Sequence, residues 1–278
     1  MTDLITHIGH GSLIQHGKHN DRIYLMKVHP GDTENILNEL NRLTREHNYG
    51  KLFCKIPQQL APLFAADGFT VEAIIPNFYE QKEDAFFMAK YPKPERSEPV
   101  NKEQLDELQQ LLSGTNGSRK AKGLPDGYSI RRLGAEDAGE IAAIYRQVFA
   151  SYPFPIFEPA YIRETMADNV FYFGAAYRGK LVALSSSEID FKGQNAEMTD
   201  FSTLPAHLGK GLSLCLLETM EQEMKKQQIK TLYTIARLNS VPMNKTFLHF
   251  DYWYAGTLIQ NTNIAGQLES MNVYYKHL

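Results

Sequence analysis

The stretch Asp200-Phe-Ser-Thr-Leu-Pro-Ala-His-Leu-Gly-Lys-Gly-Leu-Ser-Leu214 predicts a strand, a turn and the first turn of a helix. Gly209 and Gly211 straddle Lys210 where the helix begins. Glycines let the backbone approach an anion, and the first N–H groups of a helix have no partner within it. The helix dipole adds a partial positive charge, so a pyrophosphate suits this end. A glycine-containing helix start that holds no ligand uses the same residues. Two other phosphate-binding turns fail on inspection. G-x-x-x-x-G-K-[ST] is absent, and G-x-G-x-x-G would need glycine at Leu214 after the first strand of a parallel unit. Here the turn follows a run of strands read as antiparallel.

Upstream of the turn, Tyr128–Leu133 reads as a strand and Ala135–Ala150 as a helix. Ala138, Ile141, Ala142, Tyr145, Val148 and Phe149 form that helix's apolar stripe. Tyr161–Ala167 is a second helix. Phe171–Tyr177 and Leu181–Ile189 are strands joined at Arg178-Gly179-Lys180, and Ala196–Thr203 is the strand that enters the turn. Downstream come the helix Gly211–Lys226, the strand Thr231–Ala236, the helix Met243–His249 and two closing strands, Tyr252–Ile259 and Glu269–Lys276. The fold class expected is α/β (α+β layered), a mixed, largely antiparallel sheet flanked by helices.

The amino-terminal part repeats a shorter version of this order. Leu13–Gln15 and Arg22–Val28 form a hairpin, Thr33–Glu46 a helix, Lys51–Ile56 a strand and Pro57–Ala66 a helix. Phe69–Ile75 and Ala85–Lys90 are strands. Between the two parts, Pro92–Gly127 opens with repeated prolines and closes rich in glycine and charge, so it reads as an exposed linker. Asn101–Leu112 inside it carries leucines at helical spacing. Three regions follow: 1–91, a linker 92–127, and 128–278 with the phosphate turn.

At this point Tyr128–Leu278 resembles the GNAT superfamily of N-acetyltransferases. Members carry Q/R-x-x-G-x-G/A between the fourth strand and third helix. Here those positions are Leu208, Gly209, Lys210, Gly211, Leu212 and Ser213, and the central Gly211 matches. Leu208 and Ser213 depart from the pattern at its ends. Asn239 to Tyr252 is similar to the family's Asn-containing helix, with Asp251 in place of the usual glycine. The resemblance implies acetyl-CoA as co-substrate, along Phe201, Ser202, Thr203, Leu208, Gly209, Lys210, Gly211, Leu212 and Ser213, and at Asn239, Asn244 and Phe247. Many members carry a tyrosine general acid at the position of Phe247, which cannot donate a proton. The stretches EMTDFSTLP, FPIFEPAYI and FDYWYAGTLIQNTNIAGQLESMNVYYK are similar to the β-lysine N-acetyltransferases. That closer likeness implies the ε-amine of β-lysine as acceptor and the osmolyte Nε-acetyl-β-lysine as product. Phe64 to Phe69 also echoes Phe247 to Tyr252, so 1–91 is expected to be a degenerate partial repeat without a counterpart of the Gly-Lys-Gly turn.

An ε-amine with a reference pKa of about 10.4 must lose a proton before it attacks a thioester, which costs about 4.6 kcal/mol at pH 7. A general base accepts that proton. Related acetyltransferases use a glutamate in a setting like Ala196-Glu197-Met198, which makes Glu197 the first candidate. Asp200 is the second, expected by strand alternation on the opposite face from Glu197. Both also suit solvated strand-edge carboxylates. A zwitterionic diamine acid needs contacts at both ends. Arg237 follows the fifth strand of the carboxy-terminal part and could meet a carboxylate bidentately. Asn261, Asn263, Glu269 and Asn272 flank the expected loop between the last two strands, where Glu269 could meet an ammonium. Each has an equally ordinary use as a turn cap or surface residue.

The chain's 278 residues and formal net charge of −3 fit a small-molecule partner better than nucleic acid. Cys54 and Cys215 lie in apolar stretches and read as buried thiols, and no metal is expected. His7, His10, His16 and His19 lack the spacing and partners of a metal site. No signal-like or membrane-spanning run is present, which leads to a cytoplasmic expectation without membrane partners. Oligomeric state stays open, a homodimer included. A non-catalytic acyl-CoA-binding module and a protein-amine acetyltransferase remain the competing readings.

Overall fold

The alternating strands and striped helices close around one sheet in the computed structural model, which describes residues 3–98, 103–114 and 123–278. The first part contains β1 (Leu4–Ile8), β2 (Ser12–Gly17), β3 (Arg22–Lys27), α1 (Ile36–His47), β4 (Lys51–Pro57), α2 (Ala61–Ala66), β5 (Thr70–Tyr79) and β6 (Glu83–Lys90). After α3 (Glu103–Gly114) come β7 (Tyr128–Arg132), α4 (Ala138–Val148), α5 (Pro159–Asp168), β8 (Val170–Tyr177), β9 (Lys180–Asp190) and β10 (Asn195–Thr203). The chain closes with α6 (Leu212–Lys226), β11 (Thr231–Arg237), α7 (Val241–His249), β12 (Trp253–Ile264) and β13 (Gln267–His277).

The described strands form a 13-stranded sheet in the order β1-β2-β3-β4-β6-β5-β12-β13-β11-β10-β9-β8-β7. Two neighbouring pairs are parallel, β3 with β4 and β10 with β11. Each parallel pair is bridged by a helix, α1 in the first half and α6 in the second. Read outward from the β5–β12 join, the two halves place their strands in the same order. At that join Gly256 lies opposite Ala73, with φ of 151°. A Cβ there would come within 2.1 Å of the Glu72 carbonyl oxygen, so the two backbones meet only because the residue is glycine. The buried Glu72 carboxylate seals the join. It accepts from Lys51 Nζ (2.9 Å), the Ile259 N–H (2.8 Å) and the Tyr91 hydroxyl.

Sequence spacing fixes which face each element covers. Leu212, Leu216, Leu217, Met220 and Met224 of α6 pack on Val182, Ala183, Ala196, Met198 and Leu232. On the opposite face, Ile141, Ala142 and Tyr145 of α4 and Ile162 of α5 pack on Tyr172 and Leu184. In the first half, Ile36 and Leu40 of α1 cover Ile23, Leu25, Leu52 and Cys54. The other face of that half carries Tyr24, Phe53, Phe78 and Phe87, and these pack on Tyr233 and Met271 of the second half. The twist natural to a long sheet brings this helix-free face of the first half against the second.

Several expectations change. β1 is a strand with no sequence signal, because its mostly exposed residues leave no apolar alternation. The linker is anchored at its start. Arg96 is 4% exposed and donates to the carbonyls of Asn20 (3.2 Å), Asp21 (2.6 Å) and Gln260 (2.6 Å), tying both halves together. Leu108 of α3 is buried. The expected helix start at Asn101 and the linker residues 115–122 lie outside the described residues. The loop expected between the last strands is a two-residue turn, Ala265-Gly266, with φ of 52° and 87°. Such a turn matches strand twist, so β12 and β13 run on and hold Asn261, Asn263, Glu269 and Asn272 within strands.

Candidate active site

β10 and β11 pair in parallel only from Asn195 to Glu197 against Thr231 to Tyr233. Beyond Glu197 they part, β11 continuing along β13 to Arg237 and β10 leading to the Gly-Lys-Gly turn. Glu197 therefore stands at the fork. It lies opposite Glu188 of β9 and Tyr233 of β11, so all three share a face. That face is the one covered by α4 and α5, since Ala196 and Met198 point toward α6.

Asp200 is on the same face as Glu197, which corrects the alternation. The register of β10 against β9 shifts between Thr199 and Ser202, and Asp200 has φ of 56°. This bulge adds a residue to the strand and turns Asp200 back toward β9. Its carboxylate accepts from Ser186 Oγ at 2.6 Å and from the Tyr152 hydroxyl. Burial raises the Asp200 pKa, while these two hydrogen bonds oppose the rise.

Three carboxylates thus meet on one wall. Burial, reinforced by Glu188, pushes Glu197 up to about 7, against the pull of Lys55 and a hydrogen bond from Tyr233. Glu188 is also raised, by burial first, with Lys55 opposing. It nevertheless keeps an exposed surface. A carboxylate that solvent reaches while protein crowds it lines a cleft. The rest of the wall is tyrosine. Burial raises Tyr152, Tyr161 and Tyr172, which stay neutral donors at ordinary pH. Gln15 of β2 donates to the Pro153 carbonyl at 2.9 Å, which ties the first half to the segment before α5. The arrangement suits a cationic amine and offers a base poised near neutral pH.

The Gly-Lys-Gly turn lies at the far end of β10. Gly209 and Gly211 have φ of 74° and 72°, a region that disfavours residues with a Cβ. A Cβ at Gly209 would meet nothing within 4 Å, so the backbone there faces open space. Leu208 and Lys210 are exposed, Leu212 is buried beneath the turn and Ser213 is half-buried. His207 is held by the Tyr128 hydroxyl, 2.6 Å from Nδ1. Phe201 and Thr203 are half-buried, and Ser202 is buried with no hydrogen-bond partner for Oγ among the described residues. Glycine backbone, a helix start and an open front fit a pyrophosphate.

The remaining candidates divide. Phe247 is 1% exposed and packs on Phe201, Tyr252 and Tyr274, closing the base of the fork. Asn239 is exposed in the turn before α7. Asn244 is buried, and its side chain is committed to the protein. Its amide donates to the carbonyls of Ser240 (2.8 Å), Arg237 (3.1 Å) and Leu238 (3.3 Å), and its oxygen accepts from Asn272 and Tyr274, both at 2.9 Å. Asn272 also accepts from Thr257 at 2.7 Å. These two asparagines hold α7 to β13 rather than facing a ligand. Arg237 and Glu269, expected to bind opposite ends of the acceptor, bind each other through hydrogen bonds of 2.8 and 2.7 Å. Asn263 ties to the first half through Asn20 and His19, and Asn261 is buried with Oδ1 unpartnered among the described residues.

Sequence reasoning missed Glu188, Ser186, Tyr152 and Lys55. Glu188 had a usable signal, since β9 and β10 pair antiparallel and its partner is Glu197. Lys55 had none, because it comes from the other half of the sheet. Its ammonium donates to the Tyr233 hydroxyl at 2.8 Å. Among the described residues no group of three or more His, Cys, Asp or Glu could hold a metal, and no helix is long and apolar enough to cross a membrane.

Residues 140–251 match the family described as "Acetyltransferase (GNAT) family". A β-lysine N(6)-acetyltransferase of Methanococcus maripaludis is 38% identical over 267 residues, covering 95% of this chain and 96% of that protein. A β-lysine N(6)-acetyltransferase of Methanosarcina mazei is 31% identical over 268 residues, covering 89% of this chain and 98% of that protein. The ribosomal-protein-S18-alanine N-acetyltransferase of Escherichia coli superposes with a TM-score of 0.48 at 15% identity, over 54% of this chain and 93% of its own. With a carboxylate at the fork of two parting parallel strands and relatives matched along nearly their whole length, the chain belongs to the GNAT family of acetyltransferases and is an acyltransferase.

Proposed function

We propose that the chain acetylates the ε-amine of β-lysine in the cytoplasm, with acetyl-CoA as donor, and that Nε-acetyl-β-lysine accumulates as a compatible solute. The observation that carries this reading is the cleft wall of Glu188, Glu197 and Asp200 at the fork of β10 and β11. Such a wall selects a ligand with positive charge. The two β-lysine N(6)-acetyltransferases matched over most of their length support the acceptor.

Bound acetyl-CoA would supply an activated acetyl thioester. The amides around Gly209 and Gly211 would hold its pyrophosphate, and Phe201 to Thr203 would line its path toward the fork. Glu188 and Asp200 would draw the acceptor's ammonium groups into the cleft. Glu197, with a pKa of about 7, takes the proton that the ε-amine must lose. Tyr152 and Ser186 fix Asp200, so its charge is held in place before the acceptor arrives.

The first half, residues 1–91, acts in this reading as a companion without a cradle of its own. Before α1 the chain runs His29-Pro-Gly-Asp32, and Asp32 turns its carboxylate to the Ser12 hydroxyl (2.6 Å) and the His10 N–H (2.6 Å). A carboxylate at this turn repels a phosphate. The test is incubation with acetyl-CoA and a panel of small amines and peptides, followed by mass analysis. Acetylated β-lysine is the expected product. Acetylated peptide with untouched diamines would replace the reading with a protein acetyltransferase.

A further inference from the structure

A β-amino acid brings a carboxylate into a cleft whose wall carries three carboxylates. A cation placed beside that wall would offset the repulsion. Arg237, the cation chosen from sequence, is engaged bidentately by Glu269. Lys51 is buried on Glu72. Lys55 differs from both. It is half-buried and, among the described residues, forms no ion pair within 4 Å. Its ammonium donates to the neutral Tyr233 hydroxyl at 2.8 Å and stands 4.9 Å from that ring's centroid and 5.7 Å from the Phe78 ring's.

Its position follows from the sheet. Phe53 and Lys55 alternate with the core residues Leu52, Cys54 and Ile56, so Lys55 projects from the helix-free face of the first half. That face packs on the second half at Tyr233. Tyr233 is the cross-strand neighbour of Glu197. Lys55 acts electrostatically on both Glu197 and Glu188, which places its charge beside the cleft wall.

We propose that Lys55, supplied by the amino-terminal half, binds the carboxylate of an amino-acid acceptor and so distinguishes amino acids from plain diamines at the acetyl-transfer site. This rests on the acceptor class argued above. A plain diamine would gain from the acidic wall and meet Lys55 as a like charge. A diamine acid would pair its carboxylate with Lys55 and its neighbouring ammonium with Glu188. Two parts of one sheet would then be needed to read one small molecule.

The test measures binding apart from turnover. Calorimetry on the full chain loaded with CoA compares β-lysine with the diamine left when its carboxyl group is replaced by hydrogen. The wild-type protein should prefer β-lysine by about ten- to a hundred-fold, as expected for a charged hydrogen bond. Lys55→Gln should bring that ratio close to one, and Lys55→Arg should keep most of it. A wild-type protein with no preference, or a Lys55→Gln variant that keeps the preference, overturns the proposal. Turnover is read separately. A wild-type protein that binds β-lysine through Lys55 and does not acetylate it would remove the function proposed above and leave the role of Lys55 standing.

Discussion

Replacing Glu197 with Gln keeps the shape of the side chain and removes the group proposed to accept the amine's proton. At pH 7 only about four in ten thousand free ε-amines are neutral. A carboxylate with a pKa of about 7 is half ionised there and matched to the task. General bases contribute about 10²–10⁴-fold, so kcat/KM at pH 7 should fall within that range. The deficit should shrink as pH rises, since the neutral amine grows tenfold per pH unit up to about 10.4. Wild-type activity should climb through a limb near pH 7, and the variant should lose that limb. Stability should move the other way. Glu197 is raised in the folded chain from an ordinary 4.5 to about 7, so ionising it opposes folding. The opposition is absent below pH 4.5, grows as pH rises and is complete above about 7. The gap corresponds to about 3 kcal/mol as an upper bound, so the variant should melt several degrees higher at pH 8 and gain nothing at pH 4. Thiol release from acetyl-CoA, followed from pH 6 to pH 9.5, and thermal melts at the two pH values make the measurement. An unchanged rate at pH 7 with an unchanged limb would refute the assignment of Glu197 as base.

Other changes test the rest of the site. Glu188→Gln removes a negative neighbour of Glu197, so the acidic limb should shift to lower pH while the acceptor's KM rises. Gly211→Val puts a β-branched residue at φ of 72°, and the KM for acetyl-CoA should rise about tenfold or more with little change in the acceptor's. Asn244→Ala strands Asn272, Tyr274 and three carbonyls, so denaturant melts should show a loss of about 3 kcal/mol. Arg237→Ala and Glu269→Ala, alone and together, should couple by about 1 kcal/mol or less, because the Arg237 side chain is 47% exposed.

Local pattern carried most of the fold. The helix that became α6, the apolar stripe of α4 and the strand that enters the Gly-Lys-Gly turn were readable from pattern, Glu197 came from the family resemblance, and the fork beside it emerged only with the sheet pairing. What spacing could not convey was anything set by a bulge or by the other half of the chain. Asp200 changes face because one extra residue enters β10 between Thr199 and Ser202. Arg237 and Glu269 lie 32 positions apart and find each other only when β11, β13 and β12 assemble. Asn244 and Asn272 suit a ligand by residue type and are consumed by each other at 2.9 Å. Lys55 and Tyr233 lie 178 positions apart and meet because β5 joins β12. That join depends on Gly256, which in the sequence is one glycine among 19.

Acetyl transfer to β-lysine at the carboxylate-walled fork is the proposed activity. Mass analysis of the purified chain with acetyl-CoA and β-lysine tests it most directly, with the acetylated nitrogen located by fragmentation. A single acetyl group on the ε-nitrogen is expected, formed at a rate that falls in Glu197→Gln. Tight CoA binding with no acetylated small amine, or acetyl found only on the β-nitrogen, would contradict it.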